Sequence, residues 1–255
     1  MIRYLGFEFI TTNTHAYPLM KGIFITGTDT EVGKTTIATS LASLSRNNGC
    51  DVGVMKPFAT GKRVYSTKYK SKDSALLAKA AQVNDLDEEI NPFFYSVPTA
   101  PFIASKIQSK KEPSVEDAVR IYQKLAAKHD FMIVEGIGGI MVPLTKKQYV
   151  AHFAKLLDLP TVIIAGPKLG TINHTLLTVK VCLDFGLNIL GIIINGVPFR
   201  ASLLKTETIE TISELSKQRI LSTIPFLKKG SVKYISHILQ RDLNISEFLA
   251  DQQVV

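Results

Sequence analysis

ITGTDTEVGKTT, residues 25–36, lies behind a short apolar run and ahead of IATSLASLSR. A glycine-rich turn is thus set between a strand-like and a helix-like segment, the context of a phosphate-binding loop. The usual form of that loop is Gly, four residues, then Gly-Lys-Ser/Thr. Here five residues separate Gly27 from Gly33, and two of them, Asp29 and Glu31, are acidic. Successive backbone N–H groups and the following helix N-terminus bind anionic oxygens. Lys34 is expected to reach the β- and γ-phosphates of a nucleotide, and Thr35 to place its hydroxyl on Mg²⁺.

Outward from the loop, apolar runs alternate with helical patterns. GIFITG, DVGVMKP, FMIVEG, PTVIIAG, LNILGIIING and RILSTIPF read as six strands. Several are continuous and β-branched, as suits strands covered on both faces. Helices are expected at about 34–47, from near Asp73, and from Ser114, with Val115, Ala118, Val119, Tyr122 and Leu125 at helical spacing. Another is expected over residues 231–249, with Val232, Ile235, Leu239 and Leu243 inward. The alternation predicts an α/β fold: a doubly wound, mostly parallel sheet with flanking helices, of the P-loop NTPase type. No linker divides the chain, so residues 20–255 read as one domain. Residues 1–19 read as a poorly ordered extension or a misassigned start, since Met20 directly precedes KGIFITG.

Composition bounds the partners. The chain has 255 residues and a formal charge of +8, but its basic residues are dispersed. The densest group, Lys62, Arg63, Lys68, Lys70 and Lys72, reads as a solvated loop near an anionic ligand, so no nucleic-acid partner is expected. The apolar runs are too short to span a bilayer, and no membrane partner is expected. Two cysteines, Cys50 and Cys182, lack metal-ligand spacing and fit a reducing, cytoplasmic setting.

In doubly wound sheets, ligands bind beyond the carboxyl ends of the strands. Polar residues do fall there: the loop after Ile25, Lys56, Glu135 and Asn195. Lys56 in MKPFATG is either a strand-end residue reaching for water or a site residue, with Thr60 a nearby donor. Asp73 and Glu135 are the metal candidates, because Mg²⁺ is held by one or two carboxylates, a hydroxyl and phosphate oxygens. Asp73 alone would also read as a helix cap. EGIGG after the fourth residue of its run lets backbone approach a phosphate. KLGTINH opens a helix whose N–H groups would bind an anion, with Asn173 adding a donor. His174 reads as a packing or capping residue, Asn195 as a turn cap or an adenine reader, and the other histidines sit in no constellation.

Taken together, GTDTEVGKT, KPFATG, KDSALL, VPTAPFIAS, VEGIGGIMVPL, GPKLGTINH, IING and TIPFL resemble, in order and spacing, the ATP-dependent dethiobiotin synthetases. The resemblance runs from about residue 22 to 228. It implies an ATP-dependent ligase of biotin synthesis that joins 7,8-diaminononanoate and CO₂ through a carbamate and its phosphorylated anhydride. It also implies a homodimer with active sites at the subunit interface. By that match Lys56 and Lys34 are catalytic, and Thr35, Asp73 and Glu135 hold Mg²⁺. Glu31, Val32, Gly33, Lys34, Thr35, Thr36, Gly136, Gly138, Asn195, Gly196 and Pro225 contact ATP. Thr30, Thr60, Gly170, Thr171, Ile172 and Asn173 contact the diamine substrate. Residues 198–211 hold no tyrosine, although some members use one at the substrate carboxylate, and KKGSVKYISHIL departs from the usual C-terminal stretch.

Two rivals share parts of such a fold. A corrin amidoligase would bring a glutaminase nucleophile, and neither cysteine lies in a nucleophile-like turn. A partitioning ATPase would carry a lysine five residues before the loop lysine, where this chain has Asp29.

Overall fold

Strand β1 (Gly22–Gly27) is buried at every residue. Its side chains alternate between two cores, Ile23 and Ile25 on one face and Phe24 on the other. The computed structural model describes residues 22–198, 203–227 and 231–243, without the side chains of 203–205. The expected extension at 1–19 lies outside the described residues.

Helix α1 (Lys34–Asn47) leaves the loop through Gly33, and β2 (Val52–Met55) and β3 (Phe58–Thr60) follow. Next come α2 (Lys72–Ala81), α3 (Asp87–Ile90), β4 (Phe93–Tyr95), α4 (Pro101–Ile107) and α5 (Val115–Ala126). The rest of the described chain runs β5 (Phe131–Gly139), α6 (Val150–Leu157), β6 (Thr161–Ala165), α7 (Thr171–Asp184), β7 (Ile189–Val197), α8 (Leu203–Ser216), β8 (Ile220–Pro225) and α9 (Val232–Asp242). Six strands form one sheet in the order β2-β5-β1-β6-β7-β8, every neighbouring pair parallel. The order reverses at β1, so the loop after it sits at the switch point where such sheets bind ligands.

Helices α1, α2 and α9 contribute Ile37, Leu41, Leu77 and Leu239 to one core. Tyr122 of α5, Phe153 of α6, Val179 of α7 and Ile212 of α8 belong to the other. Phe153 stands edge-on to Phe24 (centroids 6.2 Å) and to Phe58 (5.2 Å), and Phe58 stacks on Phe93 at 5.6 Å. This aromatic group fastens the small β3–β4 pair to the main sheet. Phe153→Ala should therefore cost about 3–5 kcal/mol in denaturant unfolding; a loss below about 1 kcal/mol would show that the cluster is not a keystone.

The structure departs from the expected elements in four places. The β3–β4 pair and the short helices α3 and α4 were not expected, because three to seven residues are too few for periodicity to register. Ser71, not Asp73, caps α2, its hydroxyl accepting from the Asp73 N–H. Helix α9 stops at Asp242, with Leu243 extended, rather than at 249. There the Ser222 hydroxyl donates to Asp242 at 2.6 Å and ties the helix end to β8; residues 244–249 lie outside the described residues. Lastly, His129 does belong to a constellation. Its ring nitrogens lie 3.2 Å from Asp51 and 3.1 Å from Asp85.

Candidate active site

The phosphate loop is held by its own backbone. Gly33 adopts φ +94°, and a Cβ there would lie 2.1 Å from Asn195 Nδ2. Only glycine meets both demands cheaply. Glu31 is left-handed as well, at φ 58°. The Asp29 carboxylate accepts from the Thr30 N–H at 2.6 Å, while the Asp29 carbonyl accepts from Lys34 Nζ at 2.7 Å. Asp29 thus braces the turn and anchors the lysine.

Lys56 follows β2 and is 4% exposed, so it does not reach for water. Its Nζ donates to Glu135 Oε1 at 2.6 Å and to the Gly136 carbonyl at 2.9 Å, and lies 3.1 Å from Asp73 Oδ2. Thr35 donates its hydroxyl to the same Glu135 oxygen at 2.7 Å. Burial works to lower the Lys56 ammonium, but Glu135 and Asp73 outweigh it and hold the group above the usual lysine value. Burial lifts Glu135 in turn, against the pull of Lys56. Lys34 is pushed down to about 8, first by burial and then by Lys56, with Glu135, Asp73 and Asp29 opposing. An anionic ligand would stabilise the charged form of Lys34 and oppose that lowering.

These groups line a cleft of ≈ 660 Å³ that also takes in Thr30, Glu31, Thr36, Thr60 and Gly138. Glu135 Oε2 is buried with no hydrogen-bond partner among the described residues, while the Asp73 side chain is 38% exposed. Two carboxylates and the Thr35 hydroxyl form a hard oxygen set with an unused donor, which fits Mg²⁺ shared with a polyphosphate. Among the described residues, no group of three or more His, Cys, Asp and Glu gathers as a metal cage. Gly136 sits where a Cβ would meet Phe24 at 3.0 Å, so it lets β5 pack closely rather than lining the cleft.

A second cavity of ≈ 460 Å³ adjoins the first across Thr30, Glu31, Gly33 and Thr36. Val32, Asn195, Gly196 and Pro225 line it together, joined by Pro167, Phe226 and Leu227, which no motif singled out. Asn195 Nδ2 donates to the Val32 carbonyl at 2.9 Å, so its side chain bridges the end of β7 to the loop instead of capping a local turn. His174 is exposed at the edge of this cavity, which corrects its reading as a packing residue.

Residues 170–173 are not brought to Lys56. Gly170 caps α7 at φ 90° and, with Thr171, Ile172 and Asn173, lines a third, apolar recess of ≈ 620 Å³; only Thr171 also reaches the second cavity. Leu169 beside them is fully exposed, and Leu177 is 57% exposed. Lys62, Arg63, Lys68, Lys70 and Lys72 are all exposed, as a solvated loop requires. The cleft wall formed by Pro98, Thr99 and Ala100 is supplied by VPTAPFIAS, a stretch that carried resemblance but no assigned contact. Among the described residues, no helix is long and apolar enough to cross a membrane.

Residues 21–232 match a family model described as an AAA domain. The chain is 39% identical over 235 residues to the ATP-dependent dethiobiotin synthetase BioD of Bacillus licheniformis, covering 92% of this chain and 98% of that protein. It is 39% identical over 235 residues to BioD of Nitrosopumilus maritimus, covering 90% and 100%. The chain belongs to the dethiobiotin synthetase family. That BioD membership rests on sequence, whereas solved structures speak to the fold alone. The MinC:MinD complex of Aquifex aeolicus aligns with a TM-score of 0.57 at 14% identity, covering 92% of this chain and 97% of that one. A ParA-family ATPase of Chlorobium tepidum aligns with 0.52 at 17% identity, covering 91% and 96%. These two solved structures thus share a scaffold with this chain, whose own sheet is parallel throughout.

Proposed function

We propose that the chain is an ATP-dependent dethiobiotin synthetase that closes the ureido ring of dethiobiotin from 7,8-diaminononanoate and CO₂. The observation that carries this reading is the cleft itself. It joins a phosphate loop to a buried lysine between two carboxylates, with hydroxyls and an apolar wall for a second ligand.

One amine of the diamine attacks CO₂, forming a C–N bond and releasing a proton, to give a carbamate. A carbamate oxygen then attacks the γ-phosphorus, and ADP leaves. The second amine attacks the carbonyl carbon of the resulting anhydride, expels inorganic phosphate, loses a proton and closes the ring. Lys56 and Lys34 neutralise charge on the carbamate and the transferred phosphoryl group, the positioning and electrostatic work that such transfers need. Thr35, Asp73 and Glu135 would hold Mg²⁺, which when bound neutralises and orients the phosphates. Thr30 and Thr60 offer hydroxyls to the diamine, and the Glu31 carboxylate favours its cationic amines. Asn195 holds Val32 through its NH₂ group and keeps Oδ1 for the adenine amino group, with Gly196 and Pro225 flanking the base.

Residues 170–173 serve the substrate carboxylate of a neighbouring copy, their helix N-terminus supplying N–H donors. The exposed Leu169 and Leu177 beside them support a homodimer. Purified protein should release phosphate from Mg-ATP only when diamine and bicarbonate are both present, and light scattering should give twice the chain mass. Phosphate release independent of the diamine would refute the ligase reading, and a monomeric mass would refute the shared site.

A further inference from the structure

Lys56 stands where the chain leaves one sheet for another. The last residue of β2 paired to β5 is Met55, and β3 begins only at Phe58. Residues 56 and 57 therefore have no ladder of their own, and the last residue of α3 with the segment after it supplies one. The Lys56 N–H donates to the Ile90 carbonyl at 2.8 Å, and the Phe93 N–H donates to the Pro57 carbonyl at 3.1 Å. Between them, Asn91 Nδ2 donates to the Lys56 carbonyl at 2.7 Å. The Lys56 peptide is thus gripped at both its N–H and its C=O by adjacent residues.

Asn91 is 0% exposed, and its Oδ1 has no partner among the described residues. Burying an amide with an unused acceptor is unfavourable, so volume alone does not account for an asparagine here. Its backbone N–H closes α3 on the Asp87 carbonyl at 2.6 Å, which fixes where the side chain starts. The donor it delivers meets the one carbonyl that precedes Pro57 and carries the cleft lysine. The Lys56 ammonium in turn meets three acceptors within 3.1 Å. A shift of that backbone displaces the ammonium from all three.

We infer that Asn91 is a positioning residue for the reaction, fixing the Lys56 backbone so that its ammonium lands among Glu135, Asp73 and Gly136. This rests on the role given to Lys56 above. Misplacing a reacting or charge-stabilising group by an ångström costs up to about a hundredfold in rate.

Asn91→Leu keeps the branched shape but removes the donor, Asn91→Ser keeps a shorter donor, and Asn91→Ala removes the group. Activity should fall in the order Asn, Ser, then Ala and Leu together. For Ala and Leu, kcat should drop at least about tenfold while KM for ATP and the affinity for Mg-ADP stay within about twofold. A second readout does not depend on turnover: acylation of lysines by an amine-reactive reagent, followed by mass spectrometry. Lys56 should label severalfold faster in Asn91→Leu, while the similarly buried Lys34 should not. That comparison holds even where the wild-type protein makes no dethiobiotin, so failure of the functional reading stays separate from failure of this one. Unchanged Lys56 labelling, or wild-type kcat in Asn91→Leu, overturns the inference. Failure of all three variants to fold also overturns it, by assigning Asn91 to the core.

Discussion

Lys56→Ala should reduce dethiobiotin formation by about a thousandfold or more while Mg-ADP still binds. Deleting one preorganised donor to developing charge typically costs about 10²–10³ in kcat. Here the deleted ammonium is the group we assign to both carbamate and phosphoryl charge. The phosphate loop does not depend on it, since Lys34 is anchored by the Asp29 carbonyl and the turn by the Asp29 carboxylate. Binding and turnover should therefore separate. The same variant carries a pH signature. Without its 2.6 Å counter-ion, Glu135 is a buried carboxylate whose proton affinity, already raised by burial, rises further. A folded-state value above the unfolded one means that the folded form retains the proton. The stability deficit of Lys56→Ala should thus be smallest in mild acid, and should grow as pH rises through the ordinary glutamate range toward the elevated folded value. Denaturant melts at several pH values would show this; a deficit independent of pH would mean that Glu135 does not depend on Lys56 for its charge. Turnover within tenfold of wild type would remove Lys56 from the catalytic role.

Gly33→Ala should weaken Mg-ADP binding by roughly one to two powers of ten, at about 1.4 kcal/mol for each. Two costs combine. A residue with a Cβ at φ +94° carries about 1–2 kcal/mol of strain. The new methyl would also displace Asn195 Nδ2, 2.1 Å away, and so break the hydrogen bond to the Val32 carbonyl. That bond, typically worth about 1 kcal/mol, links the second cavity to the phosphate loop. Calorimetric titration with Mg-ADP measures the loss. Wild-type affinity would show that the loop needs neither the left-handed glycine nor its asparagine.

The sequence made some of this legible and hid the rest for physical reasons. The sheet was readable because strands buried on both faces are continuous apolar runs, and the helices near Asp73, from Ser114 and over residues 231–249 carried periodicity or a cap. The loop was readable because backbone anion binding demands glycine at fixed offsets. Lys56 was ambiguous: a strand-end lysine looks the same whether it reaches water or lies 4% exposed against Glu135 and Asp73. The second cavity was only half visible, since Pro167, Phe226 and Leu227 converge from the ends of separate strands with no shared motif. Asn91 was invisible, because its donor acts 35 residues away. The His129 bridge between Asp51 and Asp85 is another long-range pairing without a local pattern.

The most direct test of the central claim follows the inserted carbon. Protein incubated with 7,8-diaminononanoate, Mg-ATP and ¹³C-bicarbonate should give dethiobiotin carrying the label in its ureido carbonyl, with one ADP and one phosphate formed for each ring. ATP consumed without labelled dethiobiotin would contradict the account.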